Sequence, residues 1–232
     1  EVFFDFDPEG LRKIHESSRF SKMPCHVNCD CGRFLEIGNS VFMEYRKRSR
    51  KDAEGDADKR GRSDFEKLKQ KNVDFGGGLE RTAAACMDEP DMFRIRVFHG
   101  ALQTLERLSG KMYVSEDPVA RSFRVVLDHL RAAMFLMGDS RGVPPSNTDQ
   151  GYVVRRLIRR AVRHGRQLGI CEKNWTERIA SAFVREYRES YPEVEKNEEG
   201  VLRWIREEEE KFMKTLEKGL KEFQKLGKPT GK

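Results

Sequence analysis

The chain has 232 residues, enough for one large domain or two small ones with real cores. Lys and Arg number 45 against 39 Asp and Glu, so the net charge of +6 is modest. No apolar run approaches the length of a membrane span, no secretory signal opens the chain, and five cysteines with three crowded together exclude a disulfide framework, so a soluble, cytoplasmic protein is expected.

The opening "EVFFDFD" alternates like a strand from the middle of a sheet, and residues 1–6 are predicted as one. Residues 8–17 predict a short helix with Pro8 near its start. A cysteine-rich loop, "MPCHVNCDCGRF", follows. Residues 34–45, "FLEIGNSVFMEY", read as a long strand. Simple alternation puts Ile37, Asn39 and Val41 on one face and Glu36, Gly38 and Ser40 on the other. Residues 46–64 have almost nothing apolar and predict an exposed, mobile connection. "FEKLKQKNVDFGGG" returns as an antiparallel strand, and "GLERTAAACM" starts a helix.

From about residue 91 onward helical periodicity takes over. Helices are predicted over "DMFRIRVFHGALQTLERLSG", "DPVARSFRVVLDHLRAAMFLMGDS", "QGYVVRRLIRRAVRHGRQLG" and "NWTERIASAFVREYRESY". A last helix is predicted from Glu193 to about Leu226, with Val201, Ile205, Phe212, Leu216, Leu220 and Phe223 on one stripe. The expected class is α+β, an antiparallel sheet followed by an all-helical part, with the change of pattern between residues 88 and 108.

Arginine is concentrated near residues 155–166. Arg155, Arg159 and Arg163 form one helical stripe, and Arg156 and Arg160 its neighbour, with Val154, Leu157, Ile158 and Ala161 between them facing the core. Such a block suits a polyanion or a solvated helix face. The acidic run Glu207–Glu210 is expected at the surface, with Lys211, Lys214 and Lys218 as near-turn partners.

Strand propensity does not explain three consecutive glycines, Gly76, Gly77 and Gly78. Backbone without Cβ atoms lets a flat ligand lie against it. The helix start beyond, and Arg81, both favour a phosphate or nucleotide. The bland alternative is a tight strand-to-helix joint with Arg81 simply exposed.

The surrounding words narrow the choice. "GGGLER" at 76–81 resembles motif 3 of class II aminoacyl-tRNA synthetases. "EIGNSVFMEY", "VDFGGGLERTAA", "LDHLRAAMFLMGD", "PPSNTDQGYVVRRLIRRAVRHGRQLG" and "EEEEKFMKTLEKGL" resemble the alanine–tRNA ligase family in order and spacing. The resemblance covers nearly the whole chain except residues 46–64.

That resemblance implies an ATP-dependent ligase that makes alanyl-adenylate and passes alanine to its tRNA. It implies residues 1–108 as the C-terminal half of a class II catalytic domain, and 109–232 as a helical domain for the tRNA acceptor stem. Asn39, Val41, Asp74 and Gly76 would line the alanine pocket. Gly76, Gly77, Gly78 and Arg81 would meet ATP, with Arg81 as the catalytic cation. Asn147 would read the acceptor stem at its G·U pair, with Arg155, Arg156, Arg159, Arg160 and Arg163 on phosphates. The partners implied are alanine, ATP with Mg2+, and the alanine tRNA, with no membrane.

Three features depart from the family pattern. Gly38 stands where the family usually has Trp. Motifs 1 and 2 should precede residue 1, so a missing N-terminal half is an expected partner. The aspartate that shares the G·U contact lies beyond the last residue. The alternative function is a non-catalytic fragment or paralogue that binds tRNA or nucleotide.

Cys25, Cys29 and Cys31, with His26 beside them, offer soft donors for a structural Zn2+, although C-x-x-x-C-x-C is not a standard zinc-finger spacing. The competing reading is three reduced thiols in a loop, and a third role for the chain is a zinc-stabilised scaffold.

Overall fold

The computed structural model describes residues 1–47, 65–115 and 117–226. Most of the connection expected at 46–64 lies outside them. The chain divides into two compact units, Glu1–Ile95 and Arg96–Lys232. The helix that starts at Arg96 therefore belongs with the helical unit, so compactness changes at 95/96 rather than at 108/109.

The first unit is a three-stranded antiparallel sheet, β1 (Val2–Asp5), β2 (Phe34–Lys47) and β3 (Phe65–Gly77), in the order β1-β2-β3. A helix, α1 (Leu79–Cys86), follows directly and buries Ala84 and Ala85. The short helix expected at 8–17 is absent. The Asp7 carboxylate instead accepts the amides of Arg12 at 2.9 Å and Ile14 at 3.2 Å, and Gly10 and Lys13 take positive φ, so this stretch folds as turns.

The pairing of β1 with β2 is not uniform. Val2 pairs with Gly38 but Phe3 pairs with Glu36, which leaves Ile37 as an extra residue. Neighbours on β1 point to opposite faces, so Glu36 and Gly38 do too. The simple alternation that grouped Glu36 with Gly38 and Ser40 is thus corrected: Glu36 shares the face of Asn39 and Val41.

The second unit holds α2 (Arg96–Ser109), α3 (Ala120–Gly138), α4 (Asp149–Leu168), α5 (Trp175–Tyr187), α6 (Pro192–Lys196) and α7 (Glu198–Leu226). Its core is sealed around Phe98, Leu105, Phe123, Leu127, Ile158, Trp175 and Phe183. Gly165 is required there, because a Cβ on it would stand 2.2 Å from the Trp175 ring. Gly169 ends α4 in the left-handed conformation.

The last helix differs from the expectation in two ways. It breaks at Asn197, whose side-chain amide donates to Gly138 O at 3.0 Å and whose carbonyl accepts the first turn of α7. Its apolar stripe is buried only at Val201 and Ile205. Phe212 and Leu216 are half-buried, while Leu220 and Phe223 stand in solvent.

Candidate functional site

The glycines and their neighbours occupy one hairpin. In the register of β2 with β3, Asn39 faces Gly76 and Val41 faces Asp74. Directly opposed residues share a face, so all four sequence-predicted pocket residues lie together on one side of the sheet. Glu36 joins them through the extra residue at Ile37. The side chains of Asn39 and Asp74 are exposed and make no hydrogen bond or ion pair among the described residues.

The glycines have different physical reasons. Cβ atoms at Gly38 and Gly77 would stand 3.0 and 3.3 Å from the Phe75 ring, which lies across both on the opposite face. Phe75 thus covers the space above Gly38, the position where a large aromatic was expected. A Cβ at Gly78 would meet the Arg81 side chain at 3.1 Å. One at Gly76 would meet nothing within 4 Å. The chain's own packing does not demand glycine at 76, and the open surface there lies beside Asp74 and Asn39.

Arg81 sits in the first turn of α1, with Gly78 as its N-cap residue. The Gly78 amide donates to Ile37 O at 3.1 Å, which holds the start of the helix beside β2. The Arg81 guanidinium donates to Glu36 O at 3.1 Å and stands 3.7 Å from the Glu36 carboxylate. It is anchored at the strand whose Glu36, Asn39 and Val41 share the Asp74 face. The first unit therefore puts an unpaired carboxylate, an unpaired amide, a bare backbone and a tethered cation along one hairpin.

The cysteine loop lies between β1 and β2. Cys25, Cys29 and Cys31 come together, but the imidazole that joins them is His15. His26 Nδ1 accepts the Asn28 amide at 3.2 Å, and His26 is not among the clustered donors, so the expectation of it as the fourth donor is corrected. Burial, with Cys29 and Cys25 alongside, pushes the Cys31 thiol up to about 11, although the Arg33 amide works against it.

In the helical unit the arginine block divides. Arg155 and Arg159 turn inward and share Glu208, Arg155 at 3.4 Å, and Arg159 also stacks over Phe212 at 5.2 Å. Arg155 further donates to the Oδ1 of exposed Asn147. Arg156, Arg160 and Arg163 stay exposed, with Arg156 5.9 Å over the Tyr152 ring. Burial first, then Arg160, Arg163 and Arg121, hold His164 below its usual range.

Half of the acidic run is not a solvated face. Glu208 and Glu209 are buried. Glu209 accepts the Asn174 and Thr176 amides at 2.9 and 3.1 Å and the Thr176 hydroxyl, thereby capping α5. Burial pushes its carboxyl up, against those hydrogen bonds. Glu207 and Glu210 are exposed as expected, and Glu207 reaches Lys211 at 3.2 Å.

A small antiparallel sheet thus carries a glycine-rich joint into an arginine-bearing helix, and a helical unit follows in the sequence. Residues 5–232 match the family described as "tRNA synthetases class II (A)", and the chain belongs to it. Its curated relatives include the alanine–tRNA ligase of Treponema pallidum (strain Nichols), 38% identical over 97% of this chain and 34% of the relative. That of Borreliella afzelii (strain PKo) is 38% identical over 87% of this chain and 32% of the relative. That of Acetivibrio thermocellus is 36% identical over 95% and 22%. The chain thus spans about a third or less of the length of these relatives. No helix among the described residues is long and apolar enough to cross a membrane.

Proposed function

We propose that this chain carries the alanine pocket and part of the ATP site of an alanine–tRNA ligase, followed by its acceptor-stem-binding region. The observation that carries the reading is the shared face of Asn39, Val41, Asp74 and Gly76, with Arg81 tethered at Glu36. In this reading Asp74 holds the substrate ammonium by a charge-assisted bond, and Asn39 adds a polar contact. Val41, opposite Asp74, limits the side chain the pocket admits, a discrimination worth only a few kcal/mol per methylene.

The reaction needs no protein nucleophile. The alanine carboxylate attacks the α-phosphorus of ATP and pyrophosphate leaves. A terminal ribose hydroxyl of the tRNA then attacks the acyl carbonyl and AMP leaves. The protein positions the groups, and Arg81 offsets charge at the phosphate and adenine end. ATP brings Mg2+ with it. The backbone at Gly76, open to solvent, is the surface against which the nucleotide lies.

Adenylation also needs motifs 1 and 2, which the resemblance puts upstream of residue 1. Phe42, Val73 and Phe75 occupy the sheet face opposite Asp74, and all are more than half exposed. A further part of a catalytic sheet would cover them.

In the helical unit, Arg156, Arg160 and Arg163 are the cations available to stem phosphates. Arg155 and Arg159 serve the fold through Glu208. Because a guanidinium only donates, Arg155 fixes the Asn147 amide with its oxygen inward and leaves the Nδ2 donors for a minor-groove acceptor. The acceptor stem of the alanine tRNA is the substrate this implies.

The test is ATP–pyrophosphate exchange with motifs 1 and 2 present in the same polypeptide. Asp74→Asn should lower kcat/KM for alanine about 30-fold or more, the loss of one charge-assisted bond, and leave ATP affinity nearly unchanged. Equal activity in the two proteins would remove Asp74 from the pocket.

A further inference from the structure

The cysteine loop is more than a collection of reduced thiols. Residues 6–33 leave the sheet and return to it, and their two ends are clamped. Arg33 grips Asp5 through two bonds of 2.8 Å, and the Phe6 amide donates to Arg33 O at 2.9 Å. The Asp7 carboxylate shapes the turn that delivers His15 into the interior, where it is 6% exposed.

Four donors meet inside this loop. The Sγ atoms of Cys25, Cys29 and Cys31 and the His15 ring nitrogen all lie within 4.8 Å of one another. Cys25 Sγ and Cys31 Sγ are 4.0 Å apart, and Cys29 Sγ is 3.7 Å from His15 Nδ1. A tetrahedral zinc with bonds of about 2.3 Å to sulfur and 2.0–2.1 Å to nitrogen sets its donors about 3.8 Å (S to S) and about 3.6 Å (S to N) apart. The observed edges fall close to both.

The histidine ring is already oriented as a metal ligand would be. His15 Nε2 lies 2.9 Å from the Met23 carbonyl oxygen. A carbonyl only accepts, so Nε2 carries a proton and Nδ1, which faces the sulfurs, is the nitrogen left for a metal. Such an outer hydrogen bond fixes the tautomer and ring orientation of a metal-bound imidazole. Nothing in the local spacing marks His15, which lies ten residues before Cys25.

We propose that His15, Cys25, Cys29 and Cys31 bind one Zn2+ as a closed structural site that cross-links the loop between β1 and β2. Three thiolates and an imidazole fill all four positions, so the metal has no open site for a substrate. Its consequence is mechanical. The cross-link holds the start of β2, from which Glu36, Asn39 and Val41 project. The site depends on the loop alone and stands whether or not the hairpin binds alanine.

The test compares zinc content, by elemental analysis, in the polypeptide that carries this chain and in its His15→Asn, His26→Asn and Cys29→Ser variants. The expected result is one equivalent fewer in His15→Asn and Cys29→Ser, and no loss in His26→Asn. Equal content in all four proteins, iron in place of zinc, a Cys25–Cys31 disulfide, or loss on His26→Asn with none on His15→Asn would overturn the proposal. Should a variant not fold, cobalt is titrated into the chelator-stripped wild-type protein. The absorption of a tetrahedral thiolate site is expected, and its absence overturns the assignment. Neither readout involves aminoacylation, so failure of the ligase reading leaves the outcome legible.

Discussion

In the helical unit Phe98, Phe123, Trp175 and Phe183 are sealed from water, and even the buried acids Glu208 and Glu209 have partners. In the sheet unit Phe42, Val73 and Phe75 stand in solvent, and Asp74 and Asn39 have no partner among the described residues. One unit spends its side chains on itself. The other keeps them available and holds its backbone with clamps at Asp5–Arg33, Asp7 and Glu36–Arg81. One unit thus satisfies its buried polar groups internally, and the other leaves Asp74 and Asn39 to solvent.

The largest effect that would break this contrast is in the helical core. Trp175→Ala should cost about 3–5 kcal/mol by thermal or denaturant unfolding, whereas Phe42→Ser should cost under about 0.5 kcal/mol, as expected of an exposed site. With both variants made in this chain alone, comparable losses would mean that the sheet face is covered within the chain itself.

Next comes the inner arginine pair. Glu208→Ala leaves Arg155 and Arg159 without their carboxylate. Because both retain some access to water, the expected cost is about 1–3 kcal/mol in unfolding free energy. The same substitution frees the Arg155 contact to Asn147, so discrimination at the stem contact should fall more than overall RNA affinity. Unchanged stability would put Glu208 back among ordinary surface acids.

The smallest effects sharpen the outer arginines. Each of Arg156→Gln, Arg160→Gln and Arg163→Gln should reduce the salt slope of RNA binding by about one, and Arg159→Gln should reduce it less. Arg160→Gln should also raise the His164 pKa in an NMR titration, since a cation that disfavours the imidazolium is gone. His164 is depressed in the fold, so its contribution to stability is present above its ordinary value of 6.5 and lost as pH falls through the folded value. A downward shift on Arg160→Gln would contradict the assigned cause.

Much of this was legible in the sequence, because periodicity and glycine spacing act locally. The three strands, the antiparallel return of β3, α1 and the bodies of α2 to α5 follow from those signals, whereas the grouping of Asn39 with Gly76 comes from the family resemblance. What escaped depends on contacts distant in sequence or on single-residue irregularities. The extra residue at Ile37 changes the face of Glu36, and alternation cannot register it. The Asp7 carboxylate replaces a helix with turns. Asn197 breaks the last helix by bonding to Gly138. His15 reaches the cysteines only through that turn.

One miss had a visible signal. Val201, Ile205, Phe212 and Leu216 mark an inward stripe, and positions 208 and 209 fall on it between Ile205 and Phe212. Charge type suggested solvent, but helical phase pointed inward, and phase prevailed because Arg155, Arg159 and the start of α5 supply partners.

The position of a bound aminoacyl nucleotide decides the role of the hairpin most directly. A crystal structure with a non-hydrolysable alanyl-adenylate analogue, motifs 1 and 2 included, measures this. The amino group should lie within hydrogen-bonding distance of the Asp74 carboxylate, with Asn39 beside it and the phosphate or adenine end against Gly76 and Arg81. An analogue bound on the Phe42–Phe75 face, or seated with its amine away from Asp74, would contradict the assignment.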